Sequence, residues 1–175
     1  FKRLGGKVTH NFPILNNFSE QAGSSTGHYF HQDLLVASYI HKDNPRRHID
    51  IGSRIDGFVA HVASFRDIEI IDIRPLDDFR NHKISFLQSD LMSENFELNN
   101  LADSVSCLHA IEHFGLGRYG DTVNPTGHVI GFNNIIKILK PRGKLYISFP
   151  ISNSNQVYFN AHRTFHPKDI LNWSD

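Results

Sequence analysis

Carboxylates and a glycine stand where predicted strands end. Gly52 closes the first predicted strand, and Asp72 ends the second predicted strand about twenty residues later. This spacing is typical of dinucleotide sites. A glycine after a strand lets main-chain N–H groups approach a ligand, and the later carboxylate can accept hydrogen bonds from two ribose hydroxyls. The pair therefore favours a nucleotide site, whereas a tight turn and an exposed strand-end Asp are the structural alternatives.

Asp90 ends the third predicted strand in the equivalent place. Its carboxylate could accept a hydrogen bond from an exocyclic amine of a base. Alternatively it caps the following helical turn, since Asp is a preferred N-cap residue.

The segment 109–113 matches the H-x-x-E-H pattern of zinc hydrolases, with His109, Glu112 and His113 as its polar residues. That pattern requires both histidines on one helix, a turn apart, so that they can bind the same ion. The run 104–108 is predicted to be a strand that leads directly into His109, so a helix cannot begin early enough. We therefore expect no metal here, and expect His109 or Glu112 at the mouth of another kind of site.

Two further clusters combine histidines with aromatic residues, at 28–33 and 162–166. Both could fold over the strand ends as lids, although a single histidine is more often an ordinary surface residue. The glycine-rich loop 115–122 does not directly follow a strand, which argues against a phosphate cradle and favours a flexible loop on the substrate side.

The hydrophobic pattern predicts alternating strands and helices. Strands are predicted at 48–52, 69–73, 84–87, 104–108 and 144–150, and helices at 28–42, 56–65, 129–139 and from His166 to the chain end. Short apolar strands that alternate with helices indicate a parallel α/β sheet covered on both faces, with its ligand beyond the carboxyl ends of the strands. We interpret residues 1–26 as an irregular lead-in and 27–175 as one domain.

Composition narrows the classes of partner. The 175 residues suit one domain, and the 18 basic and 18 acidic side chains cancel, which disfavours sequence-independent nucleic-acid binding and favours a small-molecule partner. Cys107 stands alone, so no intrachain disulfide is possible, and no apolar run approaches the ~20 residues of a membrane span. Without a signal peptide at the start, we expect a cytoplasmic protein that does not bind membranes.

The order of these segments resembles that of the class I S-adenosylmethionine-dependent methyltransferases. The resemblance covers roughly residues 45–172 and is strongest in the sequences LHAIEH and ILKPRGKLYISFP. GHYFHQDLLVA and DIGSRIDGFVAH resemble an uncharacterised branch, a domain of unknown function. The resemblance implies a Rossmann-like three-layer sandwich with a mostly parallel sheet of order 3-2-1-4-5 and a reversed last strand. Because nothing follows Asp175, we expect either a truncated piece of the fold or a sheet without its usual antiparallel edge.

The resemblance also implies roles for individual residues. The methionine part of S-adenosylmethionine would lie beside Asp50, Gly52 and Ser53, the ribose on Asp72, the adenine against Asp90 and Leu91, and the sulfonium near His109. The chain departs from the family pattern in its glycine turn, where Arg54 and Asp56 replace the second and third glycines. Arg54 could pair with the cofactor carboxylate, or it could fill the pocket and abolish binding.

These observations predict methyl transfer to a hydroxyl or similar group of a small polar acceptor, such as a sugar or related metabolite. The candidate bases are His109, Glu112 and His113, ahead of His28, His162 and His166, and the reaction needs no metal. One alternative is a methyltransferase-like binding module that has lost catalysis. A nicotinamide-dependent oxidoreductase is a weaker alternative, because the G-x-G-x-x-G turn is incomplete.

Overall fold

Five parallel strands form the centre of the fold in the computed structural model, which describes residues 1–23, 25–76 and 82–174. They are β1 (His48–Ile51), β2 (Ile68–Asp72), β3 (Ile84–Gln88), β4 (Ala102–Leu108) and β5 (Leu139–Ser148). Their order, β3-β2-β1-β4-β5, confirms the predicted doubly wound sheet. Ser24 of the predicted lead-in and Asp175 at the end of the predicted domain lie outside the described residues.

Helices cover both faces of this sheet. α1 (His28–Asp43) precedes β1, a wide helical turn (Ile55–Val59) continues into α2 (Ala60–Ala63), and α3 (Gly127–Ile138) precedes β5. α1 and α2 pack on one face through a cluster that includes Ile40, Val62 and Ile70. α3 packs on the other face through a cluster that includes Ile49, Val105 and Ile135. The three layers match the predicted sandwich, and none of the described helices is long and apolar enough to cross a membrane.

A row of buried polar side chains crosses the two central strands on the α1 side. Strand residues alternate between faces, so His48 and Asp50 of β1 share this side with the residues they pair with on β4, Ser104 and Ser106. His48 hydrogen-bonds Ser104 through Nδ1 (2.7 Å) and Ser106 through Nε2 (3.1 Å), and Ser106 donates to Asp50 Oδ1 at 2.5 Å. The strand ends that carry the site are thus tied together by a satisfied polar network.

The end of the chain differs from the prediction. β6 (Gln156–Tyr158) and β7 (His162–Thr164) form a separate antiparallel pair, and the helix predicted from His166 is a single turn, Asp169–Asn172. The turn stops where Trp173 packs edge-on against Phe165 and Phe132, so aromatic packing replaces helical continuation.

One strand boundary also differs from the prediction. β5 begins at Leu139 instead of residue 144, because Leu139 already pairs with Ala102 and a bulge takes up the residues before Lys144. Within residues 1–26, the described part holds only the single turns Lys2–Leu4 and Asn17–Ser19 and is almost wholly exposed.

Candidate active site

A cavity of about 1070 Å³ opens at the carboxyl ends of the central strands, where the topology predicts a ligand. This volume is comparable to that of pockets that enclose a cofactor-sized molecule. Its lining includes nearly all the residues that the sequence nominated: Gly52, Ser53, Arg54, Asp72, Asp90, Leu91, His109, Glu112 and His113. The exceptions are Asp50 and the less favoured candidate base His166.

Asp50 lies behind the turn that follows β1. It is fully buried and accepts hydrogen bonds from the Ser53 backbone N–H (3.1 Å) and the Ser53 hydroxyl (3.0 Å), in addition to that from Ser106. Burial raises the pKa of Asp50 to about 6 despite these donors. Asp50 therefore supports the turn from behind and does not line the cavity, and its place beside the methionine part of the cofactor stays a prediction.

Gly52 brings the backbone of this turn close to the chain after β4. Its φ is 74°, in the left-handed region, and a Cβ there would lie 2.9 Å from the Cβ of Ala110. Its N–H donates to the carbonyl of Ile71 at 3.0 Å, which joins the ends of β1 and β2. Glycine is thus required here both by conformation and by space.

Arg54, which replaces a family glycine, does not fill the cavity. Its guanidinium pairs with Asp56 (Nη2 to Oδ2, 2.7 Å), and both side chains are largely exposed. An exposed ion pair of this kind is weak, so Arg54 can exchange Asp56 for another anion at the rim.

Asp72 is nearly buried at the end of β2 and is covered by Arg74. Its Oδ1 accepts from the Arg74 backbone N–H (2.8 Å) and from Nε (3.0 Å), and the Arg74 Nη2 donates to its Oδ2. The same Nη2 reaches the Gly52 carbonyl at 3.1 Å, and the guanidinium stacks on the Tyr119 ring, 4.9 Å from its centroid. Arg74 therefore spans the gap between the ends of β1 and β2.

Asp90 caps the turn after β3, because its Oδ1 accepts from the Met92 backbone N–H at 2.8 Å. This was the structural alternative predicted for Asp90, and the residue lines the cavity as well. Leu91 is buried beside it, and its carbonyl accepts from Asn134 of α3 at 2.8 Å. The two residues form an ordered wall of the cavity.

His109, Glu112 and His113 share one carboxylate oxygen. Glu112 Oε1 lies 3.1 Å from His109 Nδ1 and 3.9 Å from His113 Nε2. His109 has a φ of 51° and follows β4 immediately, and only Ile111–His113 form a helical turn. The two imidazoles therefore flank a carboxylate, an arrangement that orients a base. Among the described residues, no three His, Cys, Asp or Glu side chains are placed so that they could hold one metal ion.

His113 is oriented from its other side. Its Nδ1 donates to the carbonyl of Ala161 at 2.7 Å, and burial lowers the pKa of His113, an effect reinforced by Arg118 and His162 and opposed by Glu112. His113 is thus favoured as a neutral side chain whose Nε2 faces the carboxylate.

Of the two histidine and aromatic clusters predicted as lids, 28–33 contributes four residues to the cavity lining and 162–166 contributes one. His28, Tyr29, Gln32 and Asp33 of α1 all line it, and the His28 and Tyr29 rings lie 5.3 and 5.0 Å from that of His109. His162 lines the cavity as well. His166 does not line it, and its Nδ1 lies 4.0 Å from Asp169 Oδ1.

The loop 115–122 is fixed by hydrogen bonds. Asp121 accepts from the backbone N–H groups of Gly117 and Tyr119, each at 3.1 Å, and the buried Arg163 donates to the carbonyls of Phe114, Asn124 and Pro125. This frame holds Arg118 and Tyr119 on the cavity wall.

Arg74 and Tyr119 are the site residues that sequence reasoning missed. Arg74 directly follows the predicted strand 69–73, Tyr119 belongs to the glycine-rich loop 115–122, and neither was assigned a role. The available signal for Arg74 was its position two residues beyond Asp72, at the edge of a parallel sheet where ligands bind.

The cavity residues fit S-adenosylmethionine, the cofactor that the fold implies. Gly52 leaves a space that a Cβ would close, a nearly buried carboxylate stands at the end of β2, and Glu112 presents a buried oxygen, Oε2, without a hydrogen-bond partner. These features supply a close backbone approach and acceptors for hydroxyl or cationic groups.

Solved structures with a similar fold include three methyltransferases. One is 1,6-didemethyltoxoflavin-N1-methyltransferase of Burkholderia thailandensis with 1,6-didemethyltoxoflavin and S-adenosylhomocysteine (TM-score 0.61, 13% identity, 81% of this chain and 64% of that one). Another is a SAM-bound amino pentose methyltransferase of Micromonospora echinaspora (TM-score 0.55, 18% identity, 71% and 52%). A third is the methyltransferase domain of bacterial CtHen1 (TM-score 0.51, 16% identity, 81% and 80%).

These likenesses show that the chain has the methyltransferase fold. It spans less than two thirds of the length of the first two proteins, at 64% and 52%. No curated protein sequence matches it. One family does match over residues 57–170, that described as "Caenorhabditis protein of unknown function, DUF268".

Proposed function

We propose that this chain, which belongs to the DUF268 family of Caenorhabditis proteins of unknown function, is an S-adenosylmethionine-dependent methyltransferase for a small polar acceptor. The observation that carries the proposal is the meeting, in one cavity, of the Gly52 turn, the Asp72 carboxylate and the Glu112-oriented His109. The first two suit a nucleoside-containing cofactor, and the third suits a base beside an acceptor.

Each part of the cavity has a role in binding. Asp72 would accept hydrogen bonds from the ribose hydroxyls, Asp90 and Leu91 would meet the adenine, and the backbone at Gly52 and Ser53 would hold the methionine part. When bound, the cofactor supplies a methyl group activated by a positively charged sulfur. The acidic cavity wall at Glu112 favours such a cation.

His109 is the proposed base. Its Nδ1 donates to Glu112 Oε1, which leaves the Nε2 lone pair to accept a proton from the acceptor. The rings of His28 and Tyr29 pack on His109 and limit its rotation. Holding donor and acceptor in line and excluding water supplies the rest of the acceleration.

A binding module without catalysis is the second candidate, favoured by two observations. Arg74 covers the carboxylate that the cofactor ribose needs, and two family glycines are absent. On this alternative the cavity binds another ligand or none.

The experiment that separates the candidates is a ligand titration followed by thermal unfolding. We expect S-adenosylmethionine and S-adenosylhomocysteine to raise the melting temperature and NADH to leave it unchanged. No shift at millimolar S-adenosylhomocysteine would contradict the methyltransferase proposal and favour the module, and a shift with NADH alone would favour an oxidoreductase.

A further inference from the structure

A chain of hydrogen bonds leads from the centre of the sheet to the turn that follows β1. Asp50 accepts from the Ser53 backbone N–H at 3.1 Å, and the hydroxyls of Ser53 and Ser106 lie 3.0 and 2.5 Å from its Oδ1. An ionised carboxylate can only accept hydrogen bonds, so both hydroxyls must donate to it. The hydroxyl proton of Ser106 is therefore committed to Asp50.

The next links of the chain fix the tautomer of His48. Its Nε2 lies 3.1 Å from the Ser106 oxygen, and its Nδ1 lies 2.7 Å from that of Ser104. Because the Ser106 proton is directed at Asp50, the Ser106 oxygen must accept from an Nε2–H group. Burial lowers the pKa of His48 to about 3, so the ring is neutral and its Nδ1 accepts from the Ser104 hydroxyl. His48 is thus held as its Nε2–H tautomer.

The same chain decides where a proton gained by Asp50 can go. The backbone N–H beside Asp50 has no lone pair, so the new O–H must donate to the hydroxyl oxygen of Ser106 or of Ser53. Donation to Ser106 would reverse every bond up to His48 and leave the Ser104 hydroxyl proton without an acceptor among the described residues. Ser104 is buried, and an unpaired polar group there is costly. The proton therefore goes to Ser53, which is partly exposed and can turn its own hydroxyl away from Asp50.

The charged and titratable groups that act on this chain come from three neighbouring segments. Asp72, at the end of β2, opposes ionisation of Asp50, and Arg66, which follows α2, opposes protonation of His48. The thiol of Cys107 on β4 stays neutral because burial raises its pKa. α1 and α2 cover this face of the sheet with apolar side chains. Hydrogen bonds from serines are therefore what favour the ionised form of Asp50 against burial.

We infer that His48 is a positioning residue for the cofactor, an inference that rests on the proposed methyltransferase function. As the Nε2–H tautomer it commits Ser106 to Asp50, and Asp50 in turn holds the hydroxyl proton of Ser53. Any hydrogen bond between the Ser53 hydroxyl and a ligand must then be accepted by its oxygen, which suits the ammonium of the methionine part. With Asp50 protonated, Ser53 would present its proton instead, which an ammonium cannot accept. Ser53 lines the cavity, whereas His48 does not and acts only through this chain.

The tautomer of His48 is measured on the whole chain by nitrogen NMR, in which protonated and unprotonated ring nitrogens have well-separated shifts. His48→Gln identifies the His48 signals by their loss. We expect the Nε2–H tautomer at pH 8 and also at pH 5, where Asp50 is protonated, because the chain cannot reverse. An Nδ1–H tautomer at either pH would overturn the inference.

Two variants at position 48 separate positioning from packing. His48→Gln keeps one donor and one acceptor and does not titrate, whereas His48→Leu fills the space but cannot direct Ser106. We expect the Asp50 carboxyl, followed by carbon NMR and assigned with Asp50→Asn, to titrate at about pH 6 in wild type and in His48→Gln. In His48→Leu its midpoint should rise by about one pH unit, because Ser106 can then accept from the protonated carboxyl.

Ser106→Ala keeps this test decisive if His48→Leu unfolds. It removes the link between His48 and Asp50, so the Asp50 midpoint should rise by a similar amount. Ser85→Ala is the matched control, since Ser85 is an exposed serine of β3 outside the cavity, and it should leave the midpoint unchanged.

Cofactor affinity supplies the second readout, measured by calorimetry. Wild type and His48→Gln should bind S-adenosylhomocysteine about fivefold to tenfold more weakly at pH 5 than at pH 8, because Ser53 then turns its proton toward the ammonium. Ser53→Ala has no hydroxyl to turn, so it gives the loss caused by other titrating groups, and this loss should be smaller.

The outcomes distinguish this inference from the proposed function. An Asp50 midpoint in His48→Leu and Ser106→Ala equal to that of wild type would overturn the positioning role while cofactor binding stands. Equal pH dependence of affinity in Ser53→Ala and wild type would do the same. Failure of the wild-type chain to bind S-adenosylhomocysteine at either pH would overturn both.

Discussion

The guanidinium of Arg74 lies across the carboxylate of Asp72, donating to both of its oxygens, and reaches the carbonyl of Gly52 at 3.1 Å. With the Arg74 backbone N–H, these bonds occupy most of the acceptor capacity of Asp72. A ribose that binds Asp72 therefore competes with Arg74. The proposed ribose subsite is thus covered by a side chain only two residues away from Asp72.

Arg74→Met should open this subsite. Because the competing guanidinium is removed and the Asp72 charge is kept, we expect S-adenosylhomocysteine to bind about threefold to tenfold more tightly, measured by calorimetry. Arg46→Met, a change at an exposed arginine outside the cavity, is the control and should leave affinity unchanged. Weaker binding in Arg74→Met would mean that Arg74 contacts the ligand instead of competing with it.

Gly52→Ala should damage both stability and binding. The new Cβ meets Ala110 at 2.9 Å with φ at 74°, so we expect a loss of about 2–3 kcal/mol in the free energy of unfolding, together with a loss of cofactor binding. Gly120→Ala is the matched control, since it has a φ of 83° but open space around its Cβ. It should lose about 1–2 kcal/mol and keep binding. Equal binding in both variants would argue against a close approach at Gly52.

Stability should respond to pH through Asp50 and His48 in opposite directions. The folded pKa of Asp50, about 6, lies above its unfolded value, so its contribution to stability is present below pH ~4 and is lost as pH rises to 6. The folded pKa of His48, about 3, lies below its unfolded value, so its contribution is present above pH ~6.5 and is lost as pH falls.

Asp50→Asn isolates the first of these contributions. Without Asp50, stability should rise more steeply between pH 4 and pH 6, by about 2 kcal/mol relative to wild type, measured by urea unfolding at both pH values. Asp67→Asn, at an exposed position, should match the wild-type slope. Identical slopes for Asp50→Asn and wild type would show that Asp50 does not titrate in this window.

Arg163→Met should loosen the loop that carries Arg118 and Tyr119. The substitution leaves the carbonyls of Phe114, Asn124 and Pro125 without this donor, so we expect a loss of about 3 kcal/mol in the free energy of unfolding and faster amide exchange in residues 115–122. Arg163→Lys keeps the positive charge but lacks the planar guanidinium with its several donors. Its free energy of unfolding and amide exchange should therefore lie between those of wild type and Arg163→Met. Unchanged exchange in both variants would contradict the bracing role.

The parallel sheet and the place of the site were predictable because they follow from local pattern and topology, whereas the strand order was implied by the resemblance to class I methyltransferases. Alternating strands and helices imply a parallel sheet, and a parallel sheet places the ends of its strands at one edge, which brought Gly52, Asp72 and His109 together. The structure also confirms that β4 runs straight into His109, which was the reason for not assigning the H-x-x-E-H pattern to one helix.

The remaining features depend on contacts between distant segments. Asp50 is buried and accepts a hydrogen bond from Ser106 of β4, a contact between distant segments that no local pattern reveals. The cover of Asp72 by Arg74 is a side-chain conformation, and the bracing of the loop by Arg163 spans about forty residues of chain. The helix predicted from His166 is only a single turn, because Trp173 packs on Phe132 and Phe165 and this tertiary contact overrides the helical pattern.

Calorimetric titration of S-adenosylhomocysteine into wild type, Asp72→Ala and Asp67→Ala tests whether Asp72 and the Gly52 turn hold S-adenosylmethionine. We expect saturable binding at one site in wild type and Asp67→Ala. In Asp72→Ala we expect the affinity to fall at least a hundredfold, because two hydrogen bonds to a charged acceptor are removed. Undiminished binding by Asp72→Ala, or no heat from the wild-type chain at millimolar ligand, would contradict it.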